Sequence, residues 1–202
     1  MTVPSPRRPR TKPPEERRDE LMNGAERLFL EQGFAPTTIE QITAAAQVAK
    51  GTFYLYFSSK EDVRSSLADR FARDHLARIE TAVAGDPRTD WKGKLSAWVA
   101  ANIAFYLDSI KLHDVLFYEG GSPTREGLVD NLVISHLSKM LRSGAEAGAW
   151  SVEDARSTAV FLFSGVHAVV DDAYCKEVQV DRRRLVQRLE RLCFNTVRLA
   201  AD

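Results

Sequence analysis

The stretch Thr37–Asp62, TTIEQITAAAQVAKGTFYLYFSSKED, constrains this chain more than any other. It reads as two short helices joined by a tight turn, with a third helix following at once. Thr37 has Glu40 three residues on and Thr38 has Gln41, so either register offers a capping box at the start of the first helix. Ile39 and Ile42 supply its inward face, and the run Ala44-Ala45-Ala46 lets another helix cross closely. Gln47-Val48-Ala49 makes the turn, with Val48 as its core plug. The second helix is expected over Lys50–Phe57. Phe53 and Phe57, four residues apart, share one face of it, while Lys50, Thr52, Tyr54 and Tyr56 fall largely outside that face. The phenylalanines satisfy the core, and the other face is left for a partner. Ser58 or Ser59, with Glu61 or Asp62, caps the third helix, and Lys60 lies in its first turn. A helix N-terminus beside a lysine is a ready phosphate site.

Small, hydroxyl, aromatic and basic side chains on so short a second helix read as a helix-turn-helix for DNA. At these residues the chain resembles the tetracycline-repressor (TetR) family of bacterial transcriptional regulators. The resemblance is carried by Thr37, Thr38, Ile42, Ala45, Val48, Lys50, Gly51, Thr52, Tyr54, Tyr56, Phe57, Lys60 and Glu61. It covers Asp19–Val63 by motif and the remainder only by its layout of helices. It implies that Thr37, Tyr54, Tyr56 and Lys60 contact phosphates while Lys50, Gly51 and Thr52 approach base edges, with Thr38 in the same DNA-binding set. Gly51 would admit DNA closely, and Thr52 would meet a thymine methyl. Two residues depart from the family pattern. Gln47 stands where the family usually has glycine, which costs about 1 kcal/mol if the turn is left-handed. Ala49 stands where a capping serine is common.

Outside this stretch the sequence predicts an all-α chain. A disordered basic tail is expected over 1–14, a three-helix DNA-binding domain over 15–60, and a larger helical ligand-binding and dimerisation domain over 61–202. The tail holds Arg7, Arg8, Arg10 and Lys12 with no acid, and a basic, proline-rich segment cannot bury enough apolar surface to fold. The whole chain is balanced at 28 basic and 28 acidic residues, so attraction to nucleic acid must come from local charge. Cys175 and Cys193 lack metal or disulfide spacing and read as small core residues in a reducing cytosol. The apolar run Ala159–Val170 is too short to span a bilayer, and no apolar leader precedes the tail, so a cytoplasmic protein is expected.

A first helix is expected from Pro14, with Leu21, Ala25, Leu28 and Phe29 on one stripe, until Gly33 stops it. One long helix from Ser59 to Ala84 is the only rigid connection visible between the domains, and Gly85-Asp86-Pro87 ends it. Trp91–Ile110 is apolar on nearly all sides and so buried. A separate short helix over Leu112–Tyr118 is expected next, broken by Gly120-Gly121-Ser122-Pro123. Leu128, Leu132, His136 and Met140 form one row of the following helix, Val129, Val133, Leu137 and Leu141 the adjacent row, and Gly144 and Gly148 close it. Ser151 with Asp154 caps a helix to Tyr174, and the last helix is expected over Asp181–Ala200. Nothing remains in the chain to cover these two helices fully, which predicts a homodimer through them.

No catalytic residues, metal site or cofactor are expected, since His75, His113, His136 and His167 are scattered and no Cys pair or Gly-rich phosphate loop accompanies them. His113-Asp114 and His167 with Asp171 are the nearest approach to an acid–base pair or metal ligands. Trp98, Asn102, Phe105, Tyr106, Phe117, His136, Phe163 and His167 come from helices that the family resemblance places around an effector cavity; some of this set are expected to line it, and such aromatic walls suit a mostly apolar or aromatic small molecule. The expected partners are a double-stranded, partly palindromic operator, that effector, and a second copy of the chain, with no membrane. A repressor released by its effector is the leading reading. An activator or effector-independent regulator stays open, as does a helical ligand-binding protein with a vestigial helix-turn-helix.

Overall fold

The computed structural model describes residues 13–85, 90–118, 131–176 and 179–198. Most of the basic tail, the Gly120-Gly121-Ser122-Pro123 break, Leu128, Val129, Asp86, Pro87 and Ala200 lie outside the described residues. The helices within them are α1 Pro14–Gln32, α2 Ile39–Ala45, α3 Lys50–Phe53, α4 Lys60–Ala84, α5 Trp91–Phe117, α6 Leu132–Glu146, α7 Ala155–Lys176 and α8 Arg182–Val197. The described residues contain no strand, and the class is all-α as the sequence predicts. No helix among them is long and apolar enough to cross a membrane.

Chain contacts divide the molecule into two units, each with its own core. The division falls inside α4 after Ala68 and inside α5 before Asp114.

In the first unit α1 starts on Pro14 at its first turn and stops at Gly33, whose φ of 86° a side chain would resist. Leu21, Met22, Ala25 and Phe29 are its buried stripe, and the Phe29 ring meets Phe34 edge-on at 5.1 Å. A Cβ on Gly24 would stand 3.3 Å from Ala45 Cβ, so α1 and α2 cross where both offer small residues, as the alanine run predicts. Ile42, Phe53, Phe57, Val63 and Leu67 complete this core. Arg18 closes one side, stacking over the Phe57 ring and donating to Ser66 Oγ.

The second unit is built on Trp98, Val99, Ile103 and Tyr106 of α5, Ile134, Leu137 and Leu141 of α6, Leu162, Val166 and Val170 of α7, and Leu185, Leu189, Cys193 and Val197 of α8. An Arg182–Asp108 ion pair and a Ser151 N–H to Val197 carbonyl bond tie α8 to the rest.

Four expectations need correction here. α5 runs unbroken from Trp91 to Phe117, because no Gly or Pro interrupts Ile110-Lys111-Leu112 and the two apolar patterns share one period. Gly144 does not end α6. It lies within the helix, where a Cβ would fall 2.0 Å from Trp150 Cζ2, so glycine here makes room for the indole, whose Nε1 donates to the Leu141 carbonyl. The cap of α7 is Asp154, which accepts from the backbone N–H groups of Arg156 and Ser157 and from the Ser157 hydroxyl, rather than Ser151. Cys193 is buried, its thiol pushed up to about 12 by burial, but Cys175 is exposed.

Candidate functional site

The helix-turn-helix is assembled from backbone locks that the sequence encodes. Thr38 caps α2: its Oγ1 accepts from Gln41 N–H at 3.2 Å while Gln41 Oε1 accepts from Thr38 N–H at 2.8 Å. Such a cap is worth about 1 kcal/mol. Thr37 is buried, and its hydroxyl donates to the Gly33 carbonyl and accepts from Gln32 Nε2. After α2 the chain reverses at Gln47, whose φ of 54° is the left-handed value usually given to glycine. Val48, the expected plug, is half-buried and donates its N–H to the Thr43 carbonyl.

Regular α-helix in α3 is one turn long, shorter than the Lys50–Phe57 span expected. From Tyr54 the chain tightens, with Leu55 N–H to Thr52 O at 3.2 Å and Tyr56 N–H to Phe53 O at 3.0 Å, three residues back. Phe53 and Phe57 still reach one core, their rings 5.7 Å apart, and this anchors the segment at both ends. Its outer side presents Lys50, Gly51, Tyr54 and the partly exposed Thr52 and Tyr56. Space beside Gly51 is open, with nothing within 4 Å of a Cβ placed there. Leu55 is 78% exposed on the same segment and was not among the expected contacts. The signal lay in the Phe53/Phe57 spacing, which puts residue 55 opposite the core.

Charge on this surface is not free. Lys50 Nζ lies 2.6 Å from Glu40 Oε1 across the two helices, and this contact holds the Glu40 carboxyl below its ordinary range and the Lys50 ammonium above its own. Lys60 Nζ donates to three carbonyls, those of Phe34 at 2.7 Å, Ala35 at 3.0 Å and Thr37 at 2.7 Å, and lies over the Phe34 ring. The ammonium has three protons, and all three are used.

The second unit gathers a different set. Trp98, Asn102, Phe105 and Tyr106 are buried along α5, and Phe163 and His167 of α7 join them. His75 of α4 stacks flat on Phe105 at 4.4 Å, and His113 meets Tyr106 at 4.7 Å. His167 lies 6.5 Å from His75 and 6.3 Å from His113 between ring centroids. The Tyr106 hydroxyl donates to Asp171 at 2.6 Å. Desolvation pushes His75 down to about 3 and His113 and His167 down to about 4, so all three are neutral at pH 7. Two expected members stand apart: His136 has Glu80 and Lys139 as its charged neighbours, and Phe117 belongs to the first unit. In the sequence His75 stands alone, His113 pairs with Asp114 and Asp171 with His167, because α4, α5 and α7 meet only in the fold. Among the described residues no group of His, Cys, Asp or Glu is arranged to hold a metal ion.

The family profile described as "Bacterial regulatory proteins, tetR family" matches residues 21–67. The HTH-type transcriptional regulator TcmR of Streptomyces glaucescens is 41% identical over 69 residues, 34% of this chain and 30% of that protein. The HTH-type transcriptional repressor DhaR of Mycobacterium sp. (strain GP1) is 39% identical over 66 residues, 33% of each chain. The match thus spans about a third of the length of these curated relatives. Over the whole fold, the fatty acid degradation regulator FadR from Bacillus halodurans superposes with a TM-score of 0.72 at 26% identity, covering 95% of this chain and 100% of that one. The SmeT–triclosan complex shares the fold with a TM-score of 0.67 at 20% identity, covering 89% and 90%.

Proposed function

Given that the chain belongs to the tetR family of bacterial regulatory proteins, we propose that it is a transcriptional repressor whose dimer binds a partly palindromic operator and is released by a small, mostly apolar effector. The observation that carries the reading is the segment Lys50–Tyr56. It is anchored from within by Phe53 and Phe57, and it turns Lys50, Gly51, Thr52, Tyr54 and Tyr56 away from the core. One such segment per protomer enters the major groove, with half-sites about one helical turn apart. Tyr54, Tyr56 and Thr38 reach phosphates, while Thr52 and Leu55 offer methyl groups to thymine. Thr37 and Lys60 act differently from the rest: their polar atoms are engaged inside the domain, so they shape the loop that meets the backbone.

The dimer forms through α7 and α8. Phe161 on α7 is 66% exposed and Leu192 on α8 is likewise uncovered, with the small residues Gly165 and Ala168 beside Phe161. The effector enters the buried aromatic set of the second unit and favours a dimer whose recognition segments no longer match the half-site spacing. Effector and operator then weaken each other's binding by the same factor.

The test is binding of the full chain to DNA from upstream of its own gene, against random DNA and across a salt series. Selective, salt-dependent binding of two protomers is expected, and equal weak binding to both DNAs overturns the reading. Phe161→Arg and Leu192→Arg should shift the sedimentation profile to monomer without loss of helicity; a dimer that survives both removes these helices from the interface.

A further inference from the structure

Five buried side-chain polar atoms among the described residues of the second unit make no hydrogen bond: Trp98 Nε1, Asn102 Oδ1 and His75 Nε2, with His113 Nδ1 and His136 Nδ1. Asn102 is 1% exposed and Trp98 and His75 are also buried. Trp98 and Asn102 are four residues apart on α5, so they share a face of the helix. The Asn102 amide lies near enough to His75 to favour its protonated form, against the larger effect of burial. Native cores hold few unsatisfied polar groups, and leucine or phenylalanine would fill these places without the penalty. The concentration of Trp98, Asn102 and His75 on one side of α5 marks a place where a polar molecule completes the bonding.

The chemistry of that molecule follows from the atoms. Indole Nε1 can only donate and amide Oδ1 can only accept, so the complementary group carries an acceptor and a donor side by side. A protonated carboxyl group does, and so does a primary amide. Phe71, Phe105, Tyr106 and Phe163 supply ring faces for an aromatic body. The titratable and charged groups that face His75 and its neighbours are His113 on α5, His167 and Asp171 on α7, and Arg78 on α4, which lies over the Phe105 ring at 5.4 Å. Arg78 and Asp171 offset each other and the histidines are neutral, so the site favours an occupant without net charge.

We propose that Trp98, Asn102 and His75 hold the carboxyl group of an aromatic weak acid, which enters together with one proton. The proton comes from solvent and rests on the carboxyl oxygen that faces Asn102 Oδ1, so the bound acid is neutral. This deepens the effector reading above by naming the ligand class.

The experiment is calorimetric titration of the full chain with 2-naphthoate, and with 2-naphthamide as its neutral counterpart, at pH 6, 7 and 8 in buffers of different ionisation heat. Naphthoate should bind with uptake of one proton and lose affinity about tenfold per pH unit, whereas naphthamide binding should not vary with pH. Asn102→Leu should weaken both about tenfold or more while its melting point stays level or rises, since an unsatisfied atom is removed. Trp98→Phe provides the same affinity test if Asn102→Leu fails to fold. Naphthoate binding without proton uptake, binding of neither compound, or variants that bind as the parent does would overturn the proposal. A protein that recognises its operator but neither compound defeats this proposal alone; one that takes up naphthoate with a proton but ignores the operator defeats the regulator reading and leaves this site standing.

Discussion

Lys60 Nζ lies 2.7 Å from the Thr37 carbonyl oxygen, which ties the first turn of α4 to the loop between α1 and α2. With the Phe34 and Ala35 carbonyls it makes one ammonium the centre of that loop. Lys60→Met keeps the stem over Phe34 and removes three charge-assisted bonds. It should lower stability by about 1–3 kcal/mol in urea unfolding, and operator affinity should fall with it even at temperatures where the variant is folded. An unchanged unfolding midpoint would return Lys60 to the role of a phosphate contact.

Glu40 holds Lys50 across the recognition surface at 2.6 Å. Glu40→Gln removes a negative charge from a surface that meets phosphates and releases the ammonium. Operator affinity at low salt should rise several-fold, and the plot of log affinity against log salt should steepen by about one unit. A fall in affinity would instead make Glu40 a base-reading residue.

Gln47 occupies a left-handed turn at a φ of 54°. Gln47→Gly should relieve about 1 kcal/mol of backbone strain and raise the melting temperature by roughly 2–4 °C. Gln47→Val, branched at Cβ, should lower it.

The neutral histidines make the second unit acid-sensitive, and the sign is fixed by their burial. His75, His113 and His167 are held at about 3, 4 and 4, below the ordinary value near 6.5 that they regain on unfolding. Between these limits the unfolded chain binds more protons, so stability is full above about pH 6.5 and is lost as pH falls. From pH 6 to pH 5 the loss should be about 1 kcal/mol per histidine, read from urea midpoints. His75→Phe should flatten that slope by one proton.

Local rules carried much of this architecture into the sequence. Pro14, Gly33, Thr38 with Gln41, and Asp181 each act through their own backbone or a neighbour within four residues, and each starts or stops a helix where its chemistry says. Gln47 was readable too, because the family that the stretch resembles usually has glycine at that place in the turn. What stayed hidden depends on distant partners. Gly144 looks like a helix stop until Trp150 is seen to lie against it, and Lys60 looks like a free cation until the carbonyls at Phe34, Ala35 and Thr37 surround it. The meeting of His75, His113 and His167 has no signature along the chain, since their spacing means nothing until α4, α5 and α7 are packed.

The indole that fills the missing side chain at position 144 also couples the history of two sites. Any β-carbon at Gly144 collides with Trp150, and a smaller residue at 150 alone leaves a hole. Neither position can drift by itself. In a library randomised at both, surviving sequences should trade volume one for one, so that positions 144 and 150 are inherited as a single unit of shape.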